Sequence, residues 1–226
     1  MKNIVQIAGI IDEKEAALLI ECGVDWLGFP LRLPVHKEDV SEAEAAKIIR
    51  SLQPPHKGTL ITYLHDADEV VSFCNYLGVH NIQLHGDIDV GEARRIKKLD
   101  SGLFVIKSLV VRKDNMRELE KMVRNFGPVV DAFITDTYDS ATGASGATGK
   151  IHDWNVSKRL IELSPLPVIL AGGLTPENVA RAIIEVEPAG VDAHTRVEGQ
   201  DGRKDAALVR AFVAEARAAF SGIKAT

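Results

Sequence analysis

Pro167-Val168-Ile169-Leu170-Ala171-Gly172-Gly173-Leu174-Thr175-Pro176-Glu177-Asn178-Val179 carries a strand, a turn and the start of a helix in one short stretch. Val168–Leu170 is an apolar run rich in β-formers, and a glycine pair ends it. Thr175 then offers a helix cap, followed by a first-turn proline and an acid. A strand that passes through a glycine turn into a capped helix is the repeating unit of a parallel sheet, whose neighbouring strands need a crossover between them.

Working outward, the same alternation recurs along the whole chain. The other candidate strands are Ile4–Ala8, Trp26–Phe29, Thr59–Leu64, Asn81–Leu84, Leu103–Ser108, Ala132–Thr135 and Val191–Ala193. Eight runs at intervals of roughly 25 residues predict an α/β fold, a (β/α)8 TIM barrel forming a single domain over residues 1–226. An open doubly wound sheet also alternates strands and helices, but the regular spacing favours closure. Between the strands, Leu119, Met122, Val123 and Phe126 form one helical stripe, and Leu208, Val209, Phe212, Val213 and Ala216 form another. Such stripes cover the outside of a barrel and read as core, not as a cofactor box. Ser41 with Glu44 reads as a capping box, while Gly23 and Gly78 fall where helices should stop.

Composition narrows the function classes. Hydrophobic residues make up 46% and charged residues 26% of 226 residues, the balance of a chain with a sizeable core. A formal charge of −5 gives no attraction to phosphate backbones or anionic membranes, so nucleic-acid and membrane partners are not expected. Apolar runs such as Pro165–Leu170 are too short to cross a bilayer, and the stretch from Met1 to Ile4 has no export pattern. The two cysteines, Cys22 and Cys74, sit in apolar-periodic segments and read as buried free thiols of a cytoplasmic protein.

In a barrel, function gathers in the loops that follow the strands. The polar residues there are Gly9 and Asp12, His36, Lys37 and Glu38, His65 and Asp66, His85 and Gly86, Lys107, Asp136, Gly172 and Gly173, and His194, Thr195 and Arg196. Several of these segments together resemble the phosphoribosylanthranilate isomerase family. Gln83-Leu84-His85-Gly86 is similar to its strand-four signature, and Lys107 to its strand-five lysine. Asp136, Gly146-Ala147-Thr148-Gly149-Lys150 and Asp153-Trp154 resemble its strand-six aspartate, glycine-rich loop and the element after it. Ala171–Val179 matches its strand-seven motif almost residue for residue, and Val191-Asp192, Val197-Glu198 and Gly202-Arg203-Lys204-Asp205 follow as the family's last segment does.

The resemblance implies an Amadori-type isomerisation, in which an aminoaldose phosphate becomes an aminoketose phosphate. That chemistry needs an acid to open the ring and a base to move a proton from C2. Asp136 stands in the place of the family's acid. The family's base is a cysteine, and Ala8 occupies its place in Gln6-Ile7-Ala8-Gly9-Ile10. Glu38 stands where the family carries an arginine for the anthranilate side, and His194-Thr195-Arg196 replaces a small segment near the phosphate. The resemblance also implies tryptophan biosynthesis and requires no cofactor.

Anion chemistry is the clearest local reading. Backbone N–H groups at Gly172 and Gly173, a helix start near Thr175, the Gly146–Gly149 loop with Thr148, and Thr195 and Arg196 suit a phosphate. The bland reading is that the glycines only permit tight turns. Lys107 either reaches substrate or Asp136, or forms a structural ion pair; Asp192 either orients a sugar hydroxyl or holds a backbone amide. His36, His65 and His194, with Glu38 or Asp136, offer ligands for a divalent metal such as zinc, manganese or iron. Without a metal, the same three histidines are the candidates for a substitute base. His85 reads as structural, and His56, His80 and His152 receive no role.

The sequence therefore predicts an isomerase-like enzyme acting on a small phosphorylated substrate, with a homodimer as a compatible assembly. With Ala8 in the base position, it also predicts weak or lost activity on the family's usual substrate. Two alternatives stand beside this reading: a divergent phosphosugar isomerase, epimerase or lyase that uses a metal, and a non-catalytic phosphosugar-binding barrel.

Overall fold

The computed structural model describes residues 2–34, 38–137 and 152–223. Eight parallel strands close in chain order: β1 (Ile4–Ala8), β2 (Trp26–Pro30), β3 (Lys57–Thr62), β4 (Asn81–Leu84), β5 (Phe104–Val111), β6 (Ala132–Thr137), β7 (Val168–Leu170) and β8 (Gly190–Ala193), with β8 pairing back onto β1. Around them lie α1 (Glu13–Glu21), α2 (Glu42–Ser51), α3 (Ala67–Leu77), α4 (Val90–Leu99), α5 (Met116–Phe126), α6 (Trp154–Leu163), α7 (Val179–Val186) and α8 (Ala206–Ile223). A short 3-10 helix, Thr195–Val197, follows β8. No described helix is long and apolar enough to cross a membrane.

Alternation along each strand sorts the side chains into two cores. Trp26, Ile106, Ala132, Ile134, Ile169 and Ala171 fill the barrel interior. Their neighbours, such as Leu27, Phe29, Val105, Leu109 and Phe133, face the helices and pack with the predicted stripes. Leu119, Val123 and Phe126 of α5 are buried there, as are Val209, Phe212, Val213 and Ala216 of α8.

Several boundaries differ from the sequence expectation, three of them with a clear cause or consequence. β3 begins at Lys57, which pairs with Trp26, and ends at Thr62, whose pairing with Leu84 is the last one on the β4 side. β5 runs on to Val111, paired with Asp136 and Thr137 of β6. α7 starts at Val179, not near Thr175, because the intervening residues form a turn held by Asn178. Its Oδ1 accepts from the Thr175 N–H at 2.8 Å, and its Nδ2 donates to the Gly173 carbonyl at 3.1 Å. Gly78 ends α3 in the left-handed region, and Gly23 turns the chain after α1 with φ 85°, as expected.

The seam between the first and last units is stapled by side chains. Arg217 of α8 donates to the Asn3 carbonyl at 2.5 Å and to Asp25 Oδ2 at 2.7 Å. That same carboxylate oxygen accepts from the Val5 N–H at 2.7 Å. Arg203 pairs with Asp12 at 2.6 Å, and the Lys204 N–H donates to Glu15 at 2.7 Å. Cys22 and Cys74 are buried and free, and burial pushes the Cys74 thiol up to about 12.

Candidate active site

β6 carries Asp136 to the carboxyl-end mouth of the barrel, where the inward parity shared with Ala132 and Ile134 points it at the axis. The Thr137 N–H donates to its Oδ1 at 2.7 Å, and its Oδ2 lies 3.8 Å from His85 Nδ1. Burial pushes the Asp136 carboxyl up, against the pull of His85 and the Thr137 amide, which favours the protonated acid.

A chain of polar side chains crosses the barrel from this acid. His85 Nδ1 is 3.1 Å from Ser108 Oγ, and Gln83 Nε2 donates to the same hydroxyl at 3.3 Å. Gln6 Nε2 donates to Gln83 Oε1 at 3.4 Å and to Asp192 Oδ1 at 3.0 Å. Burial lifts Asp192 to about 8, opposed by the Gln6 hydrogen bond and helped by the charge of Asp136. Gln6 Oε1 is buried and has no hydrogen-bond partner among the described residues. The Tyr63 ring lies 4.9 Å from that of His85 and walls this side of the mouth.

Across the mouth, the ends of β1 and β8 meet. Gln6 pairs with Asp192 and Ile7 with Ala193, so the next step along both strands sets Ala8 beside His194. Gly9 has φ 79°, and a Cβ built on it would fall 2.1 Å from His194 Nε2. The imidazole therefore occupies space that only a glycine leaves open. His194 Nε2 is 3.6 Å from Glu198 Oε1, which is itself bound by Lys204 Nζ at 2.6 Å. Burial, and then the Lys204 ammonium, push the imidazole down to about 3 and hold it neutral.

The loops after β7 and β8 form the third part. Gly172 and Gly173 have φ 103° and 65°. A Cβ at Gly172 would lie 2.2 Å from Thr137 Oγ1 and 2.9 Å from His152 Nδ1, so β6 and β7 approach there too closely for any side chain. His152 fixes that approach: Nδ1 meets Thr137 Oγ1 at 2.8 Å and Nε2 meets Ser157 Oγ at 2.6 Å. Burial pushes this histidine down to about 4. Thr195 and exposed Arg196 lie on the 3-10 helix that follows β8, the strand paired with β7. A glycine turn after β7 and a short extra helix after β8 are where barrels of this class commonly bind phosphate.

Other expected site residues lie elsewhere. Lys107 is on the helix-facing side of β5, because the inward places go to Ile106 and Ser108. Its Nζ donates to the Leu84 and Gly86 carbonyls at 3.1 and 2.8 Å, 5.7 Å from the centre of the Phe126 ring. It holds the β4–α4 loop and does not pair with Asp136. His65 is exposed and, among the described residues, makes no hydrogen bond to the mouth. Glu38 accepts from the Arg32 N–H at 2.5 Å and stays with its own loop. His36, Lys37, Gly146, Thr148 and Gly149 lie outside the described residues. Among the described residues, no group of three His, Cys, Asp or Glu side chains is placed to hold a metal; His36, the third histidine of that expected set, lies outside them.

Sequence reasoning missed Gln6, Gln83, Ser108, Glu198 and Lys204, and it gave His85 and His152 too little. The parity of β1 and β4 was the available signal, since Gln6, Gln83 and His85 share the inward phase.

Known proteins place this arrangement. The sequence model of the N-(5'-phosphoribosyl)anthranilate (PRA) isomerase family matches residues 5–215. N-(5'-phosphoribosyl)anthranilate isomerase 2 of Methanosarcina mazei is 35% identical over 221 residues, covering 97% of this chain and 96% of that protein. The isomerase of Haloferax volcanii is 37% identical, covering 95% and 93%. The crystal structure of the Thermotoga maritima isomerase superposes with a TM-score of 0.80 at 28% identity, covering 95% of this chain and 98% of that one. A second solved isomerase, with reduced 1-(o-carboxyphenylamino)-1-deoxyribulose 5-phosphate bound, gives 0.78 at 26%, again covering 95% and 98%. With the family model matched from residue 5 to 215 and relatives covered nearly end to end, this chain belongs to the PRA isomerase family.

Proposed function

We propose that this chain catalyses the Amadori-type isomerisation of N-(5'-phosphoribosyl)anthranilate, with Asp136 as the acid that opens the ring. The observation that carries the reading is the place of Asp136, inward at the mouth and partly buried beside His85, where desolvation pushes its carboxyl up. A carboxylic acid kept neutral can give its proton to the ring oxygen as the C1–O bond breaks, leaving an iminium at C1. The phosphate is assigned to the amides of the Gly172-Gly173 turn and the 3-10 helix, with Thr195 and Arg196 beside them. Asp192, inward and bound to Gln6, orients a sugar hydroxyl. The reaction moves protons within one substrate and needs no cofactor.

On this reading one barrel over residues 1–226 works in the cytoplasm, in tryptophan biosynthesis. The Thermotoga maritima relative is described as dimeric, and a homodimer is part of the proposal. Freshly generated phosphoribosylanthranilate loses its fluorescence on conversion, which gives the test. The parent protein should consume it, and Asp136→Asn should do so about 100- to 10,000-fold more slowly. A parent protein that leaves the substrate untouched, or an Asp136→Asn variant as fast as the parent, overturns the reading.

A further inference from the structure

Opening the ring is half of the reaction. The iminium must then lose its C2 proton, and Ala8 carries nothing that accepts one. Among the described groups at the mouth, Asp136 is spent as the acid, and His85 lies on its side of the barrel. Asp192, lifted to about 8, keeps its proton at neutral pH. What remains on the β1 side is the imidazole of His194, beside Ala8, seated on Gly9 and partly open to solvent.

We propose that His194 is the proton acceptor of this enzyme, working across the mouth from Asp136. The inference rests on the isomerase reading above and adds the group that the reaction otherwise lacks. In a closed barrel of eight strands, β8 and β1 face β4 and β5, so an acid held by β6 and His85 and a base on the β8–β1 seam flank the same opening. His194 takes the C2 proton and becomes imidazolium. The C–H electron pair forms the C1=C2 bond, and the iminium π pair returns to nitrogen. Ketonisation then passes the imidazolium proton to C1 while the C2 hydroxyl proton returns to the Asp136 carboxylate, directly or through water, so both groups are restored and no atom or electron enters or leaves.

Two features shape how the imidazole does this work. It is neutral before substrate arrives, but burial and the Lys204 ammonium, which hold it at about 3, also weaken it as an acceptor until an anion binds beside it. Glu198 Oε1 lies 3.6 Å from Nε2 but is neutralised by Lys204 Nζ at 2.6 Å, so the charge that steadies the imidazolium is that of a bound phosphate dianion. Lys204, buried against Glu198 and tied through its backbone to Glu15, fixes the carboxylate in place.

The test compares the parent, His194→Gln, His194→Ala and the double variant Ala8→Cys/His194→Ser on phosphoribosylanthranilate. His194→Gln keeps volume and polarity, so it separates chemistry from packing. Both single variants should lose about 100- to 10,000-fold in kcat while binding reduced 1-(o-carboxyphenylamino)-1-deoxyribulose 5-phosphate as tightly as the parent. The double variant, with a thiol on β1 and room above it, should regain turnover. His194→Gln working at the parent's rate overturns the proposal and leaves the isomerase reading intact. A parent without turnover removes that reading, and this inference falls with it.

Discussion

Gln6 and Asp192 form the floor of the mouth: Gln6 Nε2 donates to Asp192 Oδ1 at 3.0 Å, and the carboxyl is nonetheless lifted to about 8 by burial. In an unfolded chain an aspartate loses its proton near about 4. From there up to about 8 the folded state holds more protons, so this group's contribution to stability is lost as pH rises through that window. Asp192→Asn cannot titrate. It should melt above the parent at pH 8, and the gap should narrow at pH 5; thermal melts that differ by a constant amount would count against this assignment.

His152 and His194 have the opposite sign. Both are held neutral, at about 4 and about 3, while the unfolded chain takes up protons near about 6.5. Stability therefore drops as pH falls from about 6.5 toward about 4. His152→Phe should flatten that acid limb in a pH series of urea unfolding curves.

The same residue is a packing prediction. His152→Ala strips partners from two buried hydroxyls, on Thr137 and Ser157, and opens space beneath Gly172. A loss of about 2–4 kcal/mol is expected in chemical denaturation. A loss below about 0.5 kcal/mol, the level of an indifferent surface change, would show that the two hydroxyls find other partners.

Gly9→Ala probes the seat of His194. The left-handed backbone penalises any side chain there by about 1–2 kcal/mol, and the added methyl would have to displace the imidazole. Turnover should fall well beyond the loss of stability, with the reduced product analogue still bound. Equal losses in stability and kcat would mean that the imidazole tolerates displacement.

Lys107→Met separates scaffold from site. Two carbonyls lose a charged donor, which costs about 1.5–3 kcal/mol. The KM should stay near the parent's, since the ammonium faces the helix layer. A KM that rises steeply while the melting temperature holds would return Lys107 to the substrate.

Much of the barrel was legible because it is written locally. Val168–Leu170, the glycine pair and the turn after it announce one βα unit, and seven more follow at regular intervals. Asp136 was legible for the same reason, as a polar residue at the end of a strand. Lys107 was misplaced because its position along β5 was readable but its face was not assigned. The parity that turns it outward also sends Gln6, Gln83 and His85 inward, where burial converts ordinary amides into a connected network. The His152 bridge lay further out of reach, because its partners, Thr137 and Ser157, come from opposite sides of the long β6–α6 connection. The bond between Lys204 and Glu198 spans few residues, yet its meaning depends on where β8 delivers His194.

The stapled seam has a consequence for how the molecule is made. Arg217, Arg203 and Lys204 lie near the end of the chain, and the groups they hold, Asn3, Asp25, Asp12 and Glu15, lie near its beginning. During synthesis the first strand leaves the ribosome some two hundred residues before its last partners do, at about 5–20 residues per second. For that interval β1 has an unpaired edge, and Ala8 has no imidazole beside it. The site is therefore completed only when the last unit joins the first, and a chain stopped short of β8 would keep its acid but lack a finished mouth.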